Sequence, residues 1–168
     1  MNNDIYAEWL VKCKNPWYRI PYILGVIVLS IVVVIFTISN SWGIIAFAGL
    51  IITVMLTWRY LKVEYEYVFV TSELSIDAIY SQQARKTRKR IDLSVVESIE
   101  KTNEEALKLK RENKDIVFED FSSGYSDAET YTITYSEEGT QHILIFEPDE
   151  KLLHAMWRAA PSKVKIPR

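Results

Sequence analysis

From Ile20 to Trp58 the chain runs through apolar residues without a single charge, and Arg19 and Arg59 close the run at its two ends. About 20 apolar residues cross the hydrocarbon core of a bilayer. A run of roughly twice that length therefore predicts two membrane helices rather than one. The only cluster of turn-forming residues inside it is Ser39-Asn40-Ser41-Trp42-Gly43, which sets the break. The pattern predicts a hairpin over residues 20–61, with helices at 20–38 and 43–61. A secretory signal would carry about 7–15 apolar residues and a small-residue cleavage site. This run is longer and passes straight into a second span.

Beyond Leu61 the hydrophobic period drops to two. Val63, Tyr65, Tyr67 and Phe69 alternate with Glu64 and Glu66, and Leu74, Ile76, Ala78 and Tyr80 alternate with Ser75 and Asp77. Such alternation is that of half-buried strands. It continues through Arg85–Leu93, Val95–Lys101, Lys114–Phe121, Tyr131–Tyr135 and Gln141–Glu147, making seven strands. Thr102–Asn113 is polar and reads as a loop or short helix. Pro148-Asp149 then opens a helix: Asp149 suits an N-cap, Leu152, Leu153, Met156, Trp157 and Ala160 recur at helical spacing, and Pro161 ends it. The expected fold is α+β: a two-helix hairpin, a domain over 62–161, and a basic tail over 162–168. Residues 1–19 read as a cytoplasmic lead-in, either a short interfacial amphipathic helix through Ile5, Trp9, Leu10 and Cys13 or a frayed tail. Trp17, Tyr18 and Tyr22 around the start of the first span, Trp42 in the turn, and Trp58 and Tyr60 near the end of the second form the expected interfacial aromatic belt.

The net charge of the 168-residue chain is −2, so no global field points to nucleic acid. Orientation follows from local charge. Lys12, Lys14 and Arg19 precede the hairpin, Arg59 and Lys62 follow it, and the connection has none; the positive-inside rule places both termini in the cytoplasm. The one cysteine, Cys13, excludes an internal disulfide. It reads as a small semi-apolar residue beside the membrane, with lipidation the alternative. The spans contain no ionisable residue, so the hairpin alone is not expected to conduct protons or solutes. In the second span Gly43, Ala46, Ala48 and Gly49 would let helices approach closely.

Seven strands in hairpin order with one C-terminal amphipathic helix is the plan of a pleckstrin-homology (PH)-like barrel or sandwich. Tyr67-Val68-Phe69-Val70-Thr71, Leu74-Ser75-Ile76, Ile91-Asp92-Leu93-Ser94 and Val96-Glu97-Ser98-Ile99 resemble bacterial PH-like domains that lie next to membrane helices. Asn15-Pro16-Trp17-Tyr18, Asp120-Phe121-Ser122-Ser123-Gly124, Phe146-Glu147-Pro148 and Ala160-Pro161-Ser162-Lys163-Val164 resemble a family of small two-helix membrane proteins of Gram-positive, clostridia-like bacteria with no assigned function. That resemblance implies a plasma-membrane location and supplies no catalytic residues.

The most pointed chemistry is Arg85-Lys86-Thr87-Arg88-Lys89-Arg90, five cations in six positions. Held near a bilayer, these cations would attract anionic lipid headgroups, at about 1 kcal/mol each; the alternative is a solvated strand. The Asp120–Gly124 loop could contact a ligand, or Gly124 supplies a left-handed turn position while Ser122 or Ser123 caps local backbone. His142 reads as a satisfied, partly buried histidine and His154 as an outward one. Trp157 and the Tyr65, Tyr67, Tyr131, Tyr135 set are expected in the core. No metal spacing, phosphate loop or nucleophile elbow occurs, so neither enzyme activity nor a cofactor is expected. The expected partners are the bilayer and an unidentified membrane or cytosolic protein. An exposed sheet edge beside the helix could take a peptide strand. The second reading is an accessory subunit that packs against a transporter or envelope enzyme through the hairpin.

Overall fold

The computed structural model describes residues 5–16, 18–39, 42–58, 62–82, 84–112 and 115–165. The alternating segments form two four-stranded sheets. β1 (Tyr6–Lys12), β2 (Val63–Val70), β3 (Glu73–Tyr80) and β4 (Ala84–Asp92) make an antiparallel meander in that order. β5 (Val96–Lys101), β6 (Ile116–Asp120), β7 (Tyr131–Glu137) and β8 (Thr140–Phe146) make the second sheet, ordered β5-β7-β8-β6, with β6 parallel to β8. The inner faces of both sheets supply one core: Tyr67, Phe69, Leu74 and Ile76 from the first, Ile99, Ile133, Leu144 and Phe146 from the second.

Among the described residues four helices complete the fold: α1 (Arg19–Ser39), α2 (Gly43–Trp58), α3 (Glu104–Arg111) and α4 (Glu150–Ala159). The Asp149 carboxylate accepts the Leu152 N–H at 2.8 Å and starts α4. Leu152, Leu153, Ala155 and Met156 then press one apolar face onto the core. At α3, Asn103 caps the Glu105 and Ala106 N–H groups, so the polar stretch is the helical alternative; Leu107 packs with Ile143 and Ile145.

Four expectations change. The lead-in is neither an interfacial helix nor a tail: residues 6–12 are strand β1, paired antiparallel with β2 from Tyr6↔Val70 to Lys12↔Glu64. Ala7, Trp9 and Val11 carry the period-two signal, but the chain separates β1 from its partner by the whole hairpin, and helical spacing fits the same short segment. The domain therefore starts before the hairpin, not at residue 62. The strands number eight rather than seven, in two sheets that no ladder joins among the described residues. The tail is also recruited: the Ile99 N–H donates to the Lys163 carbonyl and the Lys165 N–H to the Ile99 carbonyl, both at 2.8 Å. Trp157 is 41% exposed rather than core, because Ala155 and Met156 take the inward positions of α4. Tyr67, Tyr131 and Tyr135 are buried as expected, and Tyr65 half-buried.

Candidate functional site

The two apolar helices interrupt a β-hairpin. β1 ends at Lys12, β2 begins at Val63, and the Cys13 N–H still reaches the Val63 carbonyl at 3.1 Å. The excursion thus leaves and re-enters the sheet at one point. Within it Ile23, Val26, Ser30, Val33 and Thr37 of α1 are half-buried at alternating three- and four-residue spacing, opposite Gly43, Leu50, Val54 and Thr57 of α2. That is the seam of a left-handed antiparallel pair. Gly43 lies deepest, since a Cβ there would sit 2.2 Å from the Thr37 Cα. Gly49 does not serve this packing; a Cβ on it, or on Gly25, meets nothing within 4 Å. Seam hydroxyls are satisfied locally: Ser30 and Thr37 donate to the Val26 and Val33 carbonyls at 2.7 Å.

The remaining surface of both helices is bare hydrocarbon. Ile20, Ile38, Ile44 and Met55 are 68–82% exposed. Of the aromatic belt, Trp17 and Tyr60 lie outside the described residues. Tyr18, Trp42 and Trp58 are exposed at helix ends. Tyr22 turns inward and hydrogen-bonds Thr57 across the seam. α1 is long and apolar enough to cross a membrane, and α2 is a shorter apolar helix.

The cations of β4 do not share one environment. Arg85 pairs with Glu66 at 2.7 Å and Asp77 at 3.7 Å, and Arg88 hydrogen-bonds the Tyr80 hydroxyl. Lys89 turns between the sheets to Glu137 at 2.8 Å and Glu119 at 3.6 Å, over the Tyr135 ring. Lys86, Arg88 and Arg90 are exposed with no ion pair among the described residues, and of these Arg88 alone has the Tyr80 hydroxyl as a side-chain partner. The strand also runs away from the hairpin. Lys12 and Glu64 register with Ile79 and Arg85, whereas Arg90 registers with Ser75. The β3 partners of Arg85 and Arg90, Ile79 and Ser75, are four residues apart, so at about 3.4 Å per residue Arg90 lies about 14 Å beyond Arg85, further than a Debye length of about 8–10 Å. Sequence periodicity shows neither the Glu66, Asp77 and Glu137 partners nor the bulge between Ile76 and Asp77 that turns Lys89 inward.

Lys89 anchors a polar cluster that sequence reading missed. Tyr135 donates to Glu119 at 3.0 Å and stacks on His142, whose Nδ1 lies 4.0 Å from Glu119. His142 is partly buried as expected, but its Nδ1 has no hydrogen bond among the described residues. Burial opposes the Lys89 charge, yet Glu137 and then Tyr135 hold its pKa above the usual lysine value. Burial pushes the Tyr135 hydroxyl up to about 12, Lys89 working against it and Glu119 with it. Lys89 lowers Glu137 in return. The ion pair ties β4 to β7; among the described residues no three His, Cys, Asp or Glu side chains are grouped so as to hold a metal ion.

The Asp120–Gly124 segment borders a cleft of about 300 Å³ lined also by Lys108 and Arg111. Its polar groups are largely spent on the loop itself: Asp120 accepts from the Ser122 N–H and hydroxyl, and Gly124 has φ +78°. At the hairpin base, burial first and then Glu147 and Glu64 push the Cys13 thiol up to about 11, so the thiolate needed for acylation is scarce. His154 is exposed on α4. The β5 edge carries the chain's own Lys163–Lys165 at Ile99, whereas α4 packs against β1 and β2.

A four-stranded meander set against a second sheet, with a C-terminal helix packed on their shared core, defines a PH-like domain. The chain matches the bacterial PH-like domain family DUF6106 over residues 3–166 and belongs to that family. The match begins before β1 and runs through both apolar helices. No curated protein and no solved structure matches the chain.

Proposed function

We propose that this chain is a multi-pass protein of the bacterial cell membrane, whose α1–α2 hairpin holds a PH-like interaction module against the cytoplasmic leaflet. The module binds a protein partner or the leaflet itself. One observation carries the reading: a bare apolar helix pair is spliced into the connection between two adjacent strands. Leaving such hydrocarbon in water is costly at about 25 cal/mol per Å², and lipid removes that cost. Because β1 and β2 are partners, the excursion returns to its starting side, which favours two crossings. α1 spans about 31 Å and α2 about 24 Å, against a core of about 30 Å; Trp42 and Trp58 sit at the ends of the shorter helix, at interfacial depth. Lys12, Lys14, Arg19 and Lys62 at the hairpin base favour the cytoplasm. Gly25 and Gly49, facing outward, favour the second reading, in which the hairpin also packs on the helices of a transporter or envelope enzyme.

The test is topology. In a Cys13→Ser background, a Trp42→Cys chain should react with an impermeant maleimide on intact cells, and an Arg158→Cys chain only after lysis. Labelling of both only after lysis would sink the two-crossing reading.

A further inference from the structure

We propose that the cavity at the hairpin base is a binding site for the phosphodiester headgroup of a bilayer lipid, held by Lys12 and Lys62. The inference rests on the membrane reading and assigns it a ligand and a position. The cavity measures about 540 Å³ and is lined by Lys12 at the end of β1, Lys62 just before β2, Trp58 at the end of α2, Ser81 and Gln82 of the β3–β4 turn, and Tyr125. The two lysines come from the two points where the excursion meets the sheet, so the β1–β2 pairing itself brings them together. Both are exposed and form no ion pair among the described residues.

Ligand chemistry follows from the lining. Two ammonium groups supply charge-assisted donors to an oxyanion. Glu64 also lines the cavity, and a carboxylate beside two lysines suits a monoanion better than a multiply charged phosphate. A phosphodiester is a monoanion, and an ammonium or hydroxyl beyond it, as in ethanolamine or glycerol headgroups, would donate to Glu64. Location selects a lipid over a soluble phosphodiester. Trp58 is a half-exposed aromatic at the end of an apolar helix, where indoles mark headgroup depth. The cations of β4 are a poorer site, since Arg85, Arg88 and Lys89 already have partners inside the domain.

The experiment uses the full chain in nanodiscs of phosphatidylcholine with phosphatidylethanolamine or phosphatidylglycerol, exchanged into mild detergent and weighed intact by native mass spectrometry. Wild type is compared with Lys12→Ala/Lys62→Ala and with Lys86→Ala/Arg90→Ala, which removes the same charge away from the cavity. One phospholipid should remain on wild type and on the second variant, while its occupancy on the first falls about tenfold or more. Equal retention by all three, or no retained lipid on wild type, overturns the site. Insertion is scored first, by resistance to alkaline carbonate extraction. A chain that extracts refutes the membrane reading, whereas a chain that inserts but shows no dependence on Lys12 and Lys62 refutes only the headgroup site.

Discussion

If the hairpin is an excursion from a β-turn, the chain should tolerate its removal. The Cys13 N–H bonds to the Val63 carbonyl, which makes residues 13 and 63 the hydrogen-bonded pair that a two-residue type I′ turn closes. Replacing residues 14–62 by Asn-Gly should therefore yield a soluble PH-like domain. Shortening the connection from roughly fifty residues to two lowers the loop-closure cost by at most about 3 kcal/mol. Two backbone bonds are lost in exchange, from Lys14 N–H to the Ser123 carbonyl and from Ser81 N–H to the Lys62 carbonyl, at about 1 kcal/mol each. The ledger closes to within about 1 kcal/mol in favour of the spliced domain. A fragment starting at Val63 loses all of β1, including Val11, which is 5% exposed. Burial of that side chain alone contributes about 1.5–3 kcal/mol, and the edge of β2 would be bared. The assay is urea unfolding followed by tryptophan fluorescence, with amide dispersion in a two-dimensional NMR spectrum as the folding check. The spliced domain should be folded and more stable than the fragment by about 3 kcal/mol or more. A fragment equal to it in stability, or a spliced chain that is insoluble, would refute the insertion argument.

Other perturbations follow from single contacts. Gly43→Ala drives a Cβ to 2.2 Å from the Thr37 backbone, so the helix pair should loosen by about 1–3 kcal/mol. Gly49→Ala should leave it unchanged; cross-linking of cysteines placed across the seam reads both. The Tyr67 hydroxyl donates to the Phe121 carbonyl at 2.6 Å and accepts the Glu147 N–H at 3.3 Å, so Tyr67→Phe orphans two part-buried groups and should cost about 1–2 kcal/mol in the spliced domain. Lys89 holds Glu137 below its ordinary value of 4.5, and backbone and side-chain bonds from Ser94 do the same for Asp92. A depressed carboxylate stabilises the fold above its unfolded pKa and loses that contribution as pH falls through the folded value. The urea midpoint should thus drop below about pH 4.5, and less steeply in Lys89→Met.

Hydrophobic period alone located both apolar helices, strands β2 to β8 to within a few residues, and α4 with its Asp149 cap, because each of these signals lies within one contiguous window. β1 was present in the same form, as Ala7, Trp9 and Val11 alternating with Glu8 and Lys12, but its meaning depended on a partner beyond the hairpin. Only the tertiary structure decided that β1 opens the sheet, that Lys163–Lys165 close the edge of β5, and that Trp157 faces out while Met156 faces in. The basic strand divides in the same way. Its charge is a property of the sequence, whereas the pairing of Arg85 with Glu66 and Asp77 and of Lys89 with Glu137 is a property of which strands lie beside it. Backbone period is local and survives in one dimension; the pairing of a charge, the filling of an edge and the position of Lys12 beside Lys62 are long-range contacts, set only when the sheet closes around its core.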